Sequence, residues 1–164
     1  MVALTIRASA GPRHLAYREQ NSQQTLAEGV AEYYRINGDR VQPPSSLPPE
    51  SRALFTSHDM CHVIFGLDTT LADEAMADTR TILSCDVGIV HYSKYMTSNA
   101  EAKAIFKEIG YGTVLWATVK TLPRMLRAVV ELFRVKKKWP WIPLESYMRR
   151  SLADLRQEHG IHVI

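Results

Sequence analysis

The sequence predicts an all-α protein, a single-domain bundle of about six helices. Three observations carry this. Apolar residues recur at three- and four-residue spacing along most of the chain, the period of one helix face. Glycine and proline cluster between those stretches and punctuate them. No segment alternates apolar and polar residues as a half-buried strand does, and no internal repeat is visible. At 164 residues the chain has the size of one domain. It can bury roughly two-thirds of its unfolded surface, enough for a core without disulfide staples.

Residues 1–24 read as a lead-in, partly disordered, and residues 25–164 as the helical domain. The lead-in holds Arg7, Arg13 and Arg18 and no acid before Glu19. An organelle transit segment stays open there beside an ordinary disordered terminus. Thr25 to Asn37 sets Leu26, Val30 and Tyr33 on one helix face, and Asn37-Gly38 should end that helix by a left-handed turn. The proline-rich stretch from Gln42 to Pro49 cannot be a helix interior. A second helix starts at Pro48 or Pro49, where a missing N–H costs nothing, and stops at Gly66.

Asp68, Thr69 and Thr70 offer N-caps for a third helix from about Leu71. It should carry His91, Tyr92 and Tyr95, with packing roles weighing more than contact with a substrate ring. Ser98 and Glu101 have capping-box spacing and open a short helix ending at Gly110. Thr113 to Val135 makes a fifth, kinked at Pro123. The breaker from Trp139 to Pro143 sets off a last helix, Leu144 to His159, closed by Gly160. His159 and His162 read as dipole-matching or loop residues.

Composition removes several classes. No apolar run approaches the ~18–20 residues of a membrane span. No apolar stretch long enough for a secretory signal follows the first basic residue. A formal net charge of +3 is too small to imply a nucleic-acid partner. Cys61 and Cys85, with no paired spacing, fit a reducing compartment better than a disulfide framework.

The sharpest feature is His58-Asp59-Met60-Cys61-His62, followed by eleven residues and then Glu74. Positions four apart on a helix are about 40° apart in arc, so His58 and His62 share a face. Such a pair alone is common in surfaces and cores. Asp59, about 100° round, can still lean toward the same centre. In a continuous helix Glu74 would lie about 18 Å beyond His62. The break at Gly66 and the restart after Thr70 make an antiparallel hairpin instead, which returns Glu74 to the two histidines. His58, Asp59, His62 and Glu74 are therefore the expected ligands of a divalent cation. Zinc is favoured, with manganese, iron, cobalt or magnesium admitted and calcium disfavoured for want of oxygen ligands. Cys61 projects near this face, though a buried free thiol is the commoner outcome.

The segment from His58 to Glu74 resembles the His-Asp-x-x-His-x11-Glu motif of the coenzyme Q biosynthesis protein 4 family, with the spacing unbroken. Gly66 and Leu71 also fit its pattern, and similarity extends through Thr25 to Asp39 and Ser146 to Ile161. The resemblance implies an all-helical protein that binds a polyprenylated aromatic precursor of ubiquinone. It further implies metal-dependent oxidative removal of the ring carboxylate, a lyase-type activity, and a role beside other ubiquinone-biosynthesis enzymes. With little before Thr25, the expectation is a bacterial member in the cytoplasm, peripheral to the inner membrane. The mitochondrial inner membrane, matrix side, is the alternative.

A prenyl tail needs an apolar cavity, and Trp116, Met125, Leu126 and Val129 on the fifth helix are the expected lining; core packing is the commoner role for such a pattern. Arg134, Lys136, Lys137, Lys138 and Trp139 are the expected membrane-facing end, against the alternative of a solvated helix terminus. A homodimer stays open. A non-catalytic scaffold for prenylated quinone precursors or other isoprenoid lipids is the competing function. A hydrolase of the HD type is disfavoured because no second His-Asp pair occurs.

Overall fold

The computed structural model describes residues 14–38, 41 and 43–163, and the fold among them is all-α. Eight α-helices follow in order: α1 Leu26–Asn37, α2 Pro49–Phe65, α3 Leu71–Ser84, α4 Gly88–Ser98, α5 Ala100–Ile109, α6 Tyr111–Glu131, α7 Glu145–Met148 and α8 Leu152–His159. Short 3-10 turns lie at Ala16–Arg18, Pro44–Ser46 and Leu132–Arg134.

Local chemistry sets the helix ends. Thr25 and Glu28 form a reciprocal capping box at the start of α1. Pro49 opens α2, and Thr70 caps α3 by accepting from the Asp73 amide. Gly66 ends α2 in the left-handed conformation, φ 70°. A Cβ there would also stand 2.6 Å from the Val163 side chain. Gly38 differs from expectation: it stays right-handed at φ −62°, so α1 ends without a left-handed cap.

Two predicted helices are each two. The third breaks after Ser84, where Cys85 bridges to Trp139 and Gly88 turns the chain into α4 at φ 70°. Tyr92, His91 and Tyr95 therefore belong to α4. The last helix is interrupted at Arg149–Ser151, where the backbone pairs with the strand-like entry to α1: Leu26 N–H donates to Arg150 O at 2.9 Å, and Leu152 N–H to Gln24 O at 2.8 Å. Asn99, in place of Ser98, caps α5 through the Ala102 amide. Helix α6 continues through Pro123.

Residues 14–24, read above as lead-in, are part of the packed structure. Residues 1–13, where most of the transit or disordered reading falls, lie outside the described residues. By Leu15 the chain is already in the core, and Tyr17 is fully buried.

The end of α2 is held by long-range hydrogen bonds. The buried Arg156 guanidinium donates to Ile64 O (2.8 Å), Val63 O (2.9 Å), Tyr17 O (2.6 Å) and Glu19 O (2.5 Å). Arg18 Nε and Tyr17 Oη donate to the Gly66 and Leu67 carbonyls. A cation at a helix C-terminus also complements the dipole. Close packing adds to this: at Gly29 on α1, a Cβ would meet Val63 at 2.8 Å. The half of α2 that bears the histidines is thereby fixed.

Candidate metal centre

Helices α2 and α3 form the expected hairpin, and it brings three of the four predicted ligands together. His58 Nε2, His62 Nε2 and Glu74 Oε2 stand 3.1, 3.2 and 3.3 Å apart, a nearly equilateral triangle. The His62 side chain is fully buried, His58 is 14% exposed and Glu74 is 36% exposed, so the triangle runs from the core to an open side.

The protons on the two rings follow from their other partners. His62 Nδ1 lies 3.0 Å from the Asp68 carbonyl, which only accepts, so this nitrogen carries the hydrogen. Tyr92 donates a short hydrogen bond to Asp78 Oδ1. Its oxygen is thereby left to accept from His58 Nδ1, 3.4 Å away. Both Nε2 atoms then present lone pairs toward each other and toward the Glu74 carboxylate. Three bare lone pairs at this separation repel unless a proton or a cation lies among them. Fixing a ligating imidazole by a hydrogen bond at its other nitrogen is what metal sites do. The donor set thus fits a divalent cation.

Electrostatics agree. Burial disfavours a charge on His58, but Glu74 outweighs it and, with no cation present, lifts the imidazole to about 10. Burial raises Glu74, and the two imidazoles outweigh that and hold it well below the usual carboxylate range. A metal would have to displace the imidazole proton, so loading strengthens as pH rises.

Asp59 is the exception. It points off the triangle toward α1, where its Oδ2 accepts from Tyr34 Oη at 2.7 Å. Its place about 100° round the helix from His58 decides this. Burial, working against the neighbouring His58 charge, raises its pKa to about 6. Asp78, one turn after Glu74 on α3, is the acid beside His58 instead, 4.0 Å from Nδ1. The i, i+4 spacing from Glu74 was the signal that could have found it; the contact with Tyr92 had none. Cys61 lies behind the site with its Sγ 3.7 Å from that of Cys85, both thiols free and buried.

The triangle opens on a cavity of about 610 Å³. Leu54, Phe55, Leu71, Ile82, Met96, Ile105, Val114 and Met125 form much of its wall, with His58, Asp59, Glu74, Asp78 and Glu108 as its ionisable groups. Among the described lining residues none is Lys or Arg. Of the four residues expected to line it, Met125 does. Trp116, Leu126 and Val129 do not: they are 61%, 59% and 44% exposed. Helix α6 presents Val114, Ala117, Thr118 and Met125 inward and turns Trp116 and Leu126 away, whereas Val129 shares the Met125 side one turn beyond the lining.

The expected membrane-facing end is also revised. Trp139 is fully buried, its ring against Tyr147 and His159 and its amide bonded to Ser84 O at 2.8 Å. Lys137 pairs with Glu158, Lys136 reaches Gln157 O, and Arg134 pairs with Glu131. His159 is buried too, with Nδ1 donating to Lys137 O and burial lowering its pKa, so it is no dipole-matching cation. The chain matches no protein-family model, no curated protein and no solved structure.

Proposed function

We propose that the chain is a metal-dependent enzyme of ubiquinone biosynthesis that removes the ring carboxylate of a polyprenylated hydroxybenzoate. The carrying observation is that the His58–His62–Glu74 triangle opens, through His58 and Glu74, on an apolar cavity. Zinc is the favoured cation, because imidazole and carboxylate are its common donors. Manganese, iron, cobalt and magnesium accept the same donors less closely. When bound, the cation supplies Lewis-acid stabilisation of negative charge on the carboxylate and phenolate oxygens.

The residues of the chain do the rest. Because no described lining residue is Lys or Arg, a substrate carboxylate is answered at the ligand triangle. Leu71, Met96, Ile105 and Met125 exclude water and receive the prenyl tail. Tyr92 and Asp78 orient His58. The hydroxyl left on the ring carbon requires an external two-electron oxidant, for which dioxygen is the candidate.

The test is metal analysis of the purified protein, mass spectrometry of extracted lipid, and turnover of a prenylated hydroxybenzoate under air. Metal near one equivalent and release of carbon dioxide are expected. His58→Ala and Glu74→Ala should each drop both to background while the lipid stays bound. Lipid binding with no turnover in the loaded protein would favour the scaffold reading. Wild-type protein that takes up no metal would end both the metal and the enzyme assignments.

A further inference from the structure

Helix α6 has two apolar faces. At about 100° per residue, Val114, Ala117, Thr118 and Met125 point to one side and line the cavity. Leu115, Val119, Leu122, Leu126 and Val130 fall within about 80° of arc on another side, centred roughly 120° away, and Phe133 extends them in the 3-10 turn that follows. These six are exposed, Leu126 by 59% and Phe133 by 92%. The stripe is about 27 Å long. Isolated exposed apolar residues are ordinary, but a continuous stripe marks a contact surface.

One border of the stripe is cationic. Trp116, Lys120 and Arg127 follow it, and Lys120 Nζ lies 5.0 Å over the Trp116 ring; Arg134, just past the helix end, is already paired with Glu131. From Tyr111 to Val130 the helix contains no carboxylate. We propose that this face is the docking surface for an anionic phospholipid bilayer, with α6 lying in the interface plane. An apolar stripe flanked by Lys, Arg and Trp is the composition that seats a helix at the headgroup boundary. The charges choose the occupant. A second copy docked antiparallel along α6 would set two cationic borders on the same side, with no acid on that stretch to answer them. Anionic headgroups answer that border. Among the described residues no helix is long and apolar enough to cross a membrane, and attachment by this face requires none. The same helix walls the cavity, so docking places the cavity one helix from the lipid. The proposal goes beyond the metal centre and does not depend on it.

Flotation with phosphatidylcholine vesicles, with and without phosphatidylglycerol, tests it. The wild type should float with anionic vesicles and weakly with neutral ones. Leu126→Glu, a change at an exposed position, should abolish flotation while leaving helical circular dichroism and metal content intact. Lys120→Gln and Arg127→Gln should each weaken anionic binding about fivefold. Lys138→Glu, on the far segment, should change nothing. Flotation of Leu126→Glu at the wild-type level would overturn the proposal. So would a wild type that ignores vesicles, including one that dimerises with concentration and loses the dimer on Leu126→Glu.

Discussion

Two regions of the molecule differ sharply in how they are closed. Around Tyr17, α1, the end of α2 and α8, the side chains of Tyr17, Leu26, Tyr33, Leu152, Leu155 and Arg156 are at most 1% exposed. In α6, twice as long as most of its neighbours, Thr121 and Ala128 alone are buried among the described residues. The ligand triangle sits on the seam. His62 belongs to the sealed side and Glu74 to the open one. The contrast assigns separate duties: one region holds two imidazoles in register, and the other leaves apolar surface for a ligand and for lipid.

The largest expected effect comes from opening the sealed side. Arg156→Ala removes four hydrogen bonds to carbonyl oxygens, three of them buried; Val63 O and Glu19 O keep the Gly66 and Ser22 amides, whereas Ile64 O and Tyr17 O lose the guanidinium that held them. At about 1 kcal/mol or more for each, the loss is about 4 kcal/mol, or roughly 10 °C in Tm for a domain of this size. Arg156→Lys should recover only part of it, since an ammonium lacks the planar fork that reaches acceptors on two segments. Thermal unfolding of the metal-free protein measures both. If Arg156→Ala melts within a degree or two of wild type, the sealed region is not what fixes α2.

Legibility in the sequence followed the same division. The stretch from His58 to Glu74 could be read because every relation in it is local: a four-residue spacing, a glycine stop and a threonine cap, all within two adjacent helices. Arg156 could not, since its acceptors lie up to 139 residues away and are backbone atoms, which leave no mark on composition. Trp139 misled for a related reason. Its lysine neighbours look like a surface segment, but backbone pairing with Ser84 and Asp86 pulls its ring inward. On α6 the pattern showed two apolar faces and no means of telling which one faces in. Trp116 and Leu126 were assigned to the wrong side for that reason.

A smaller effect should come from Tyr92, which ties α4 to the ligands. Tyr92→Phe removes the hydroxyl that links Asp78 to His58 Nδ1. Loss of such an orienting partner weakens metal binding by roughly 10- to 100-fold. Competition against a chromophoric chelator gives the value, and the fold should be little disturbed because the ring still packs on Trp141. An unchanged affinity would show that His58 is oriented by α2 alone.

The smallest expected change is the most discriminating. If Asp59 is a ligand, Asp59→Asn should cost metal on the scale of His58→Ala. The geometry gives the opposite result, because its carboxylate faces Tyr34 and the asparagine carbonyl can still accept that hydroxyl at the same place. Stability carries a pH signature as well. The folded pKa of Asp59 is raised to about 6 from an ordinary value near 4, so the native state binds its proton more tightly than the unfolded chain does. Its contribution is therefore most favourable below about pH 4 and is lost as pH rises toward 6. Asparagine never ionises and escapes that loss. The variant should thus keep its metal and match or slightly exceed wild-type stability above pH 6, as measured by urea unfolding and metal analysis on the same samples. Metal lost together with stability would place Asp59 back among the ligands and require its side chain to turn from α1 toward α3.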